Sequence, residues 1–86
     1  MEVAYTEKAM EDISFWKNTG NKKVMTKISA LIENIKLTPL EGLGKPEPLK
    51  HKLVGTWSRR INLEHRLVYE VNDLHISILS LKGHYH

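Results

Sequence analysis

Apolar residues recur at helical spacing in the first half of the chain and alternate with polar ones in the second. Val24, Ile28, Leu31 and Ile35, flanked by Met25 and Ile32, follow the three-and-four spacing of one buried helical face. This predicts a helix from Asn21 to Leu37, with Pro39 barring its continuation. Ahead of it, Ala9, Ile13 and Trp16 form a shorter stripe with Met10 beside it. Thr6 is placed to cap that first helix, Glu7 suits its positive end, and Asn18-Thr19-Gly20 ends it. The short connection predicts an antiparallel helical hairpin. Met1–Tyr5 alternates weakly and reads as a short strand.

Beyond Leu40 the period changes. Leu40 to Lys52 mixes glycine, proline and charge and reads as loop, with a short strand near Pro48–Lys50. Trp57, Arg59 and Ile61 alternate with Ser58, Arg60 and Asn62; Leu67, Tyr69 and Val71 alternate with Arg66, Val68 and Glu70. These are two strands joined by a polar turn at Asn62–His65. After a turn at Asn72-Asp73, His75–Lys82 reads as a central strand buried on both faces. The order β-α-α-(β)-β-β-β predicts an α+β fold, with the helical hairpin packed on one face of an antiparallel sheet.

With 86 residues the chain makes one small domain. It has no cysteine, which excludes disulfides, thiolate metal sites and a thiol nucleophile. Nothing resembles a signal peptide, and no apolar run approaches the roughly 20 residues of a membrane span, so a cytoplasmic protein is expected. Charge separates the two halves. Residues 1–44 balance six lysines against six acids, whereas residues 45–86 set seven lysines and arginines against four acids. All the excess positive charge lies in the second half, as expected of a scaffold half and a half facing a polyanion.

The candidate chemistry sits in that basic half. In Gly44-Lys45-Pro46-Glu47-Pro48-Leu49-Lys50-His51, two prolines restrict one carboxylate among cations. RNA carries its own nucleophile, the 2′-hydroxyl. Cleavage then needs a base for its proton, cations for the charge building on phosphorus, and an acid for the leaving oxygen. Glu47 is the candidate base, although a loop carboxylate paired with Lys45 or Lys50 is the simpler reading of that stretch alone. Lys50, Arg60 and Arg66 are candidate phosphate contacts, and Lys52 extends the basic run. Arg59 shares parity with Trp57 and Ile61, so Arg60 is preferred to it, and Arg59→Lys is expected to matter much less than Arg66→Lys. His84 is the candidate acid, and Tyr85 a residue that stacks on a base or orients a phosphate. His84 and His86 make only a weak metal pair, so no metal and no cofactor is expected.

GKPEPLKH, then GTWSRRINLEHRLVYEV, then the terminal His84-Tyr85 resemble the signature of the YoeB/Txe toxins, small ribonucleases related to RelE. The resemblance covers essentially the whole chain and implies a single RelE-like domain over residues 1–86. It implies a ribosome-dependent, metal-independent endoribonuclease that cuts translated mRNA by 2′-hydroxyl attack. On the matching positions, Glu47 is the general base, His84 the general acid, and Arg66 the catalytic arginine. Lys50, Arg60 and Tyr85 also fall on motif positions. The resemblance further implies an acidic YefM-like antitoxin, frequent homodimers, and contact with DNA only through the antitoxin complex. One departure is His86, which moves the terminal carboxylate one residue away from Tyr85.

Two other readings compete. A non-catalytic inhibitor on the same fold, like the ParE toxins, would lack the Glu/Arg/His set. A plain RNA-binding module would need exposed aromatics beside the cations, and Trp57 and Tyr69 read instead as core.

Overall fold

The computed structural model describes residues 1–50 and 55–83. Strand β1 (Glu2–Tyr5) is followed by helices α1 (Glu7–Thr19) and α2 (Lys22–Leu37), then by strands β2 (Glu47–Pro48), β3 (Thr56–Arg60), β4 (Arg66–Val71) and β5 (His75–Ser80). They form one five-stranded sheet in the order β1-β5-β4-β3-β2. Strands β2 to β5 pair antiparallel as expected. β1 joins the edge parallel to β5, so the sheet is mixed. The reason is topological: after the helices β2 runs opposite to β1, and three antiparallel reversals through β3 and β4 bring β5 into the direction of β1.

Both ends of α1 fall where the sequence puts them, and α2 starts at Lys22 with Asn21 as its cap, a role not assigned from the sequence. Thr6 Oγ1 accepts the Ala9 amide at 3.1 Å and donates to the Leu79 carbonyl at 3.0 Å, which hooks α1 onto β5. Gly20, at φ 67°, closes α1 in the left-handed region, and Asn21 caps α2 through the Val24 amide.

The core lies between the helices and one sheet face. Val24, Ile28, Leu31 and Ile35 of α2 meet Leu67, Tyr69, Ile76, Ile78 and Leu81, with Ala9 and Trp16 from α1. The stripe on α1 differs from expectation. Met10 is exposed and Ile13 only partly buried, while Asp12 is buried. Its carboxylate accepts the Leu81 amide at 2.9 Å and pairs with Lys8 one turn back. A buried charge survives there because both oxygens are engaged. Trp16 Nε1 donates to the Leu81 carbonyl at 2.9 Å, so α1 grips both polar groups of that residue.

β5 is central but is not buried equally on its two faces. Ile76 and Ile78 are buried, while His75, Ser77 and Leu79 are only half-buried, because the helices cover one face alone. A register shift against β4, between Val68 and Tyr69, skips Leu79, and pairing resumes with Val68 opposite Ser80.

Candidate active site

Glu47 reaches the sheet through a loop organised by a buried cation. Arg59 is fully buried on β3, pointing towards α2. Its Nε donates to the Tyr69 hydroxyl at 3.1 Å. Nη1 donates to Asn34 Oδ1 and to the Leu43 carbonyl, Nη2 to the carbonyls of Thr38 and Glu41 at 2.6 and 3.0 Å. All five guanidinium donors are thereby used. The Tyr69 hydroxyl in turn donates to the Pro39 carbonyl at 2.6 Å. Burial pushes the Tyr69 phenol above its usual value of 10.0, and the hydrogen bond and charge of Arg59 pull the other way. Arg59 therefore holds the fold and does not face a substrate, so Arg59→Lys acts through stability, a cost that the sequence reading of the two arginines left out. Parity with Trp57 and Ile61 correctly turns it inward, but a run of residues cannot reveal that four groups of the 38–43 loop and α2 wait for it.

The same loop then turns sharply into β2. Gly44, at φ 80°, presses against Leu31, the Arg59 side chain and the Arg60 carbonyl, and its own carbonyl accepts the Arg60 amide at 2.7 Å. A Cβ there would come within 2.8 Å of Leu31 Cδ2 and 3.1 Å of the Arg60 carbonyl oxygen. Gly44→Ala therefore loses roughly 2–3 kcal/mol of stability in denaturant unfolding, from collision and from the left-handed backbone together.

β2 pairs Glu47 with Ser58, and β3 pairs Arg60 with Arg66. Side chains alternate along a strand, so Glu47, Ser58, Arg60, Arg66 and Val68 share the sheet face away from the helices. Arg66 Nη1 meets Glu47 Oε1 at 3.1 Å. The Glu47 side chain is 57% exposed and that of Arg66 only 12%. The carboxylate thus pairs across β3 with Arg66, not with the neighbouring Lys45 or Lys50. Arg60 is exposed, directly opposite Arg66. Two like charges facing one another across a ladder are unfavourable, a common sign that a sheet face is kept for a ligand. Lys50 is exposed three residues after Glu47.

The far end of the face is fixed at Gly83. Its carbonyl accepts the Arg66 amide at 2.9 Å, and its amide donates to His65 Nδ1 at 3.0 Å. Lys52, His84 and Tyr85, together with His86, lie outside the described residues. Of the expected site, the structure therefore brings together Glu47, Arg60 and Arg66. Trp57 packs against the core and Tyr69 is fully buried within it, so neither is a free stacking platform.

Residues 5–85 match the YoeB-like toxin of bacterial type II toxin–antitoxin systems. The chain belongs to this family. Toxin YoeB of Escherichia coli K12 is 47% identical over 85 residues, covering 99% of this chain and 100% of that protein. The fold of the YoeB/ParE toxin from Agrobacterium tumefaciens superposes with a TM-score of 0.92 at 42% identity, over 99% and 100% of the two chains. The YoeB dimer from Staphylococcus aureus gives 0.89 at 46% identity, over 99% and 98%. The YoeB–YefM heterotetramer from the same organism gives 0.85 at 46%, over the same shares. Family membership and the mixed, two-helix sheet agree, and both make this chain the toxin of a toxin–antitoxin pair.

Proposed function

We propose that this toxin is a ribosome-dependent, metal-independent endoribonuclease acting on translated mRNA. The observation that carries the reading is the Glu47–Arg66 pair, set beside the exposed Arg60 on the sheet face away from the helices. A base and a phosphate-binding cation must stand within one residue's reach of each other, because the 2′-hydroxyl and the phosphorus it attacks are neighbours in RNA.

The chemistry follows from those groups. The Glu47 carboxylate takes the 2′-hydroxyl proton, and the 2′-oxygen forms a bond to the adjacent phosphorus. The P–O5′ bond breaks, and His84 supplies the proton that leaves with the 5′-oxygen. The products are a 2′,3′-cyclic phosphate and a free 5′-hydroxyl. Arg66 and Arg60 neutralise the phosphoryl oxygens as charge builds. Arriving phosphate competes with Glu47 for the Arg66 guanidinium, so substrate binding itself loosens the carboxylate for its role. Lys50 and Lys52 dock on phosphates of the message or ribosome, and Tyr85 stacks on a base or orients a phosphate.

Alignment of the RNA strand is assigned to the ribosome, which holds the message in register for in-line attack. The partner in the resting cell is an acidic YefM-like antitoxin, consistent with the Staphylococcus aureus YoeB–YefM complex. A homodimer is consistent with the YoeB dimer of that organism. Both belong in the cytoplasm, where translated message is found.

Arg66→Lys keeps the charge but loses the paired, planar donors. It lowers cleavage at least about tenfold while changing thermal stability little. Inducing the chain without its antitoxin and mapping new mRNA 5′ ends tests the reading in cells. New ends within coding regions are expected, and their absence in a toxic strain would count against it.

A further inference from the structure

His65 does more than close the β3–β4 turn. Its Nδ1 accepts the Gly83 amide at 3.0 Å. An imidazole nitrogen accepts only when it carries no proton, so the proton sits on Nε2. Nε2 lies 3.9 Å from Glu64 Oε2. The ring stands edge-on to Trp16, with centroids 4.9 Å apart. Trp16 holds the Leu81 carbonyl, Asp12 the Leu81 amide, and Arg66 the Gly83 carbonyl. The backbone from 81 to 83 is therefore fixed at four points, and the one at the Gly83 amide is an imidazole. The next residue in the chain is His84.

We infer that His65 is a positioning residue, a neutral imidazole latch on Gly83 that sets the point from which His84 and Tyr85 are presented. The inference rests on the endoribonuclease reading above. Arg66 joins the two parts: its amide holds Gly83 and its guanidinium holds Glu47. The tie between His65 and Gly83 thus couples the departure point of the proposed acid to the element that carries the base's partner. A loss of alignment here, with every reacting group retained, slows the chemical step without weakening the binding of message.

A purely structural role for His65 would lie in its packing on Trp16. His65→Phe keeps the ring and removes the acceptor; His65→Asn discards the ring and keeps an acceptor near the Nδ1 position. The experiment combines three readings: amide exchange at Gly83, the imidazole nitrogen spectrum of the wild type, and single-turnover cleavage on programmed ribosomes. The wild-type spectrum should show a bare Nδ1 and a protonated Nε2. His65→Phe should speed Gly83 exchange, lower the cleavage rate constant by about 10- to 100-fold, and leave KM for programmed ribosomes within about twofold. His65→Asn should recover much of both. A proton on Nδ1 in the wild type would overturn the latch. So would a cleavage rate unchanged in His65→Phe while Gly83 exchanges faster, or a rate lost equally in both variants. Should the wild type show the bare Nδ1 and a protected Gly83 amide yet cleave nothing, the ribonuclease reading fails and the latch stands.

Discussion

Glu47→Ala lowers single-turnover cleavage by roughly 10²–10⁴, the range expected when a positioned general base is removed. His84→Ala does the same from the other side of the reaction. The expected change in stability is small by comparison. The Glu47 side chain is more than half exposed, and an ion pair of this kind contributes at most about 1 kcal/mol. Loss of activity with an unchanged melting temperature therefore separates chemistry from folding. Glu47→Gln sharpens the test, since the amide fills the same space and can still meet Arg66 but cannot take a proton. Full activity in either variant would remove Glu47 from the base's role.

The second large effect falls on stability. Arg59→Lys costs about 3–5 kcal/mol in denaturant unfolding, because a buried ammonium cannot reach the five acceptors that the guanidinium spans. A domain of this size has a total margin of roughly 5–15 kcal/mol, so much of the protein would be lost or unfolded at growth temperature. Arg60→Lys, one residue on and exposed, should stay within about 0.5 kcal/mol of the wild type. Similar unfolding midpoints for the two variants would show that the Arg59 network is not what holds the 38–44 loop. Cleavage by Arg59→Lys should fall in proportion to the fraction unfolded, in contrast to Arg66→Lys, which stays folded and loses rate.

The sequence carries most of the fold because its two periods are clean. α2 is legible from four residues, Val24, Ile28, Leu31 and Ile35, all of which are buried. The cap at Thr6 follows from side-chain chemistry that acts locally, and Asn21, read as the first helical residue, proves to be the second cap. What stays hidden is polar and long-range. Asp12 interrupts an apolar stripe and looks like a solvent-facing residue until the Leu81 amide, 69 positions away, comes to it. The parallel pairing of β1 depends on where the helices return the chain, and no local pattern records that.

The site is legible to a similar degree. Alternation separates Arg59 from Arg60 without any structure, and it places Arg60 on the face where Arg66 and Glu47 lie. The partner of Glu47 could not be read in the same way. Lys45 and Lys50 are nearer in sequence, yet a carboxylate on a two-residue edge strand looks across the sheet, not along the chain. His65 carries no motif of its own, and only the approach of Gly83 gives its imidazole a function.

Cleavage of one transcript by the purified toxin, with and without translating ribosomes and each with and without EDTA, tests the central claim most directly. The account predicts rapid cutting at defined codon positions on ribosomes, slow and unselective cutting of naked RNA, and no effect of the chelator. Rates on ribosomes should also fall steeply with added salt, as neutralised phosphates recapture their counterions. Equal rates with and without ribosomes would contradict the account and mark the protein as a free ribonuclease, and EDTA sensitivity would contradict its metal-independent chemistry.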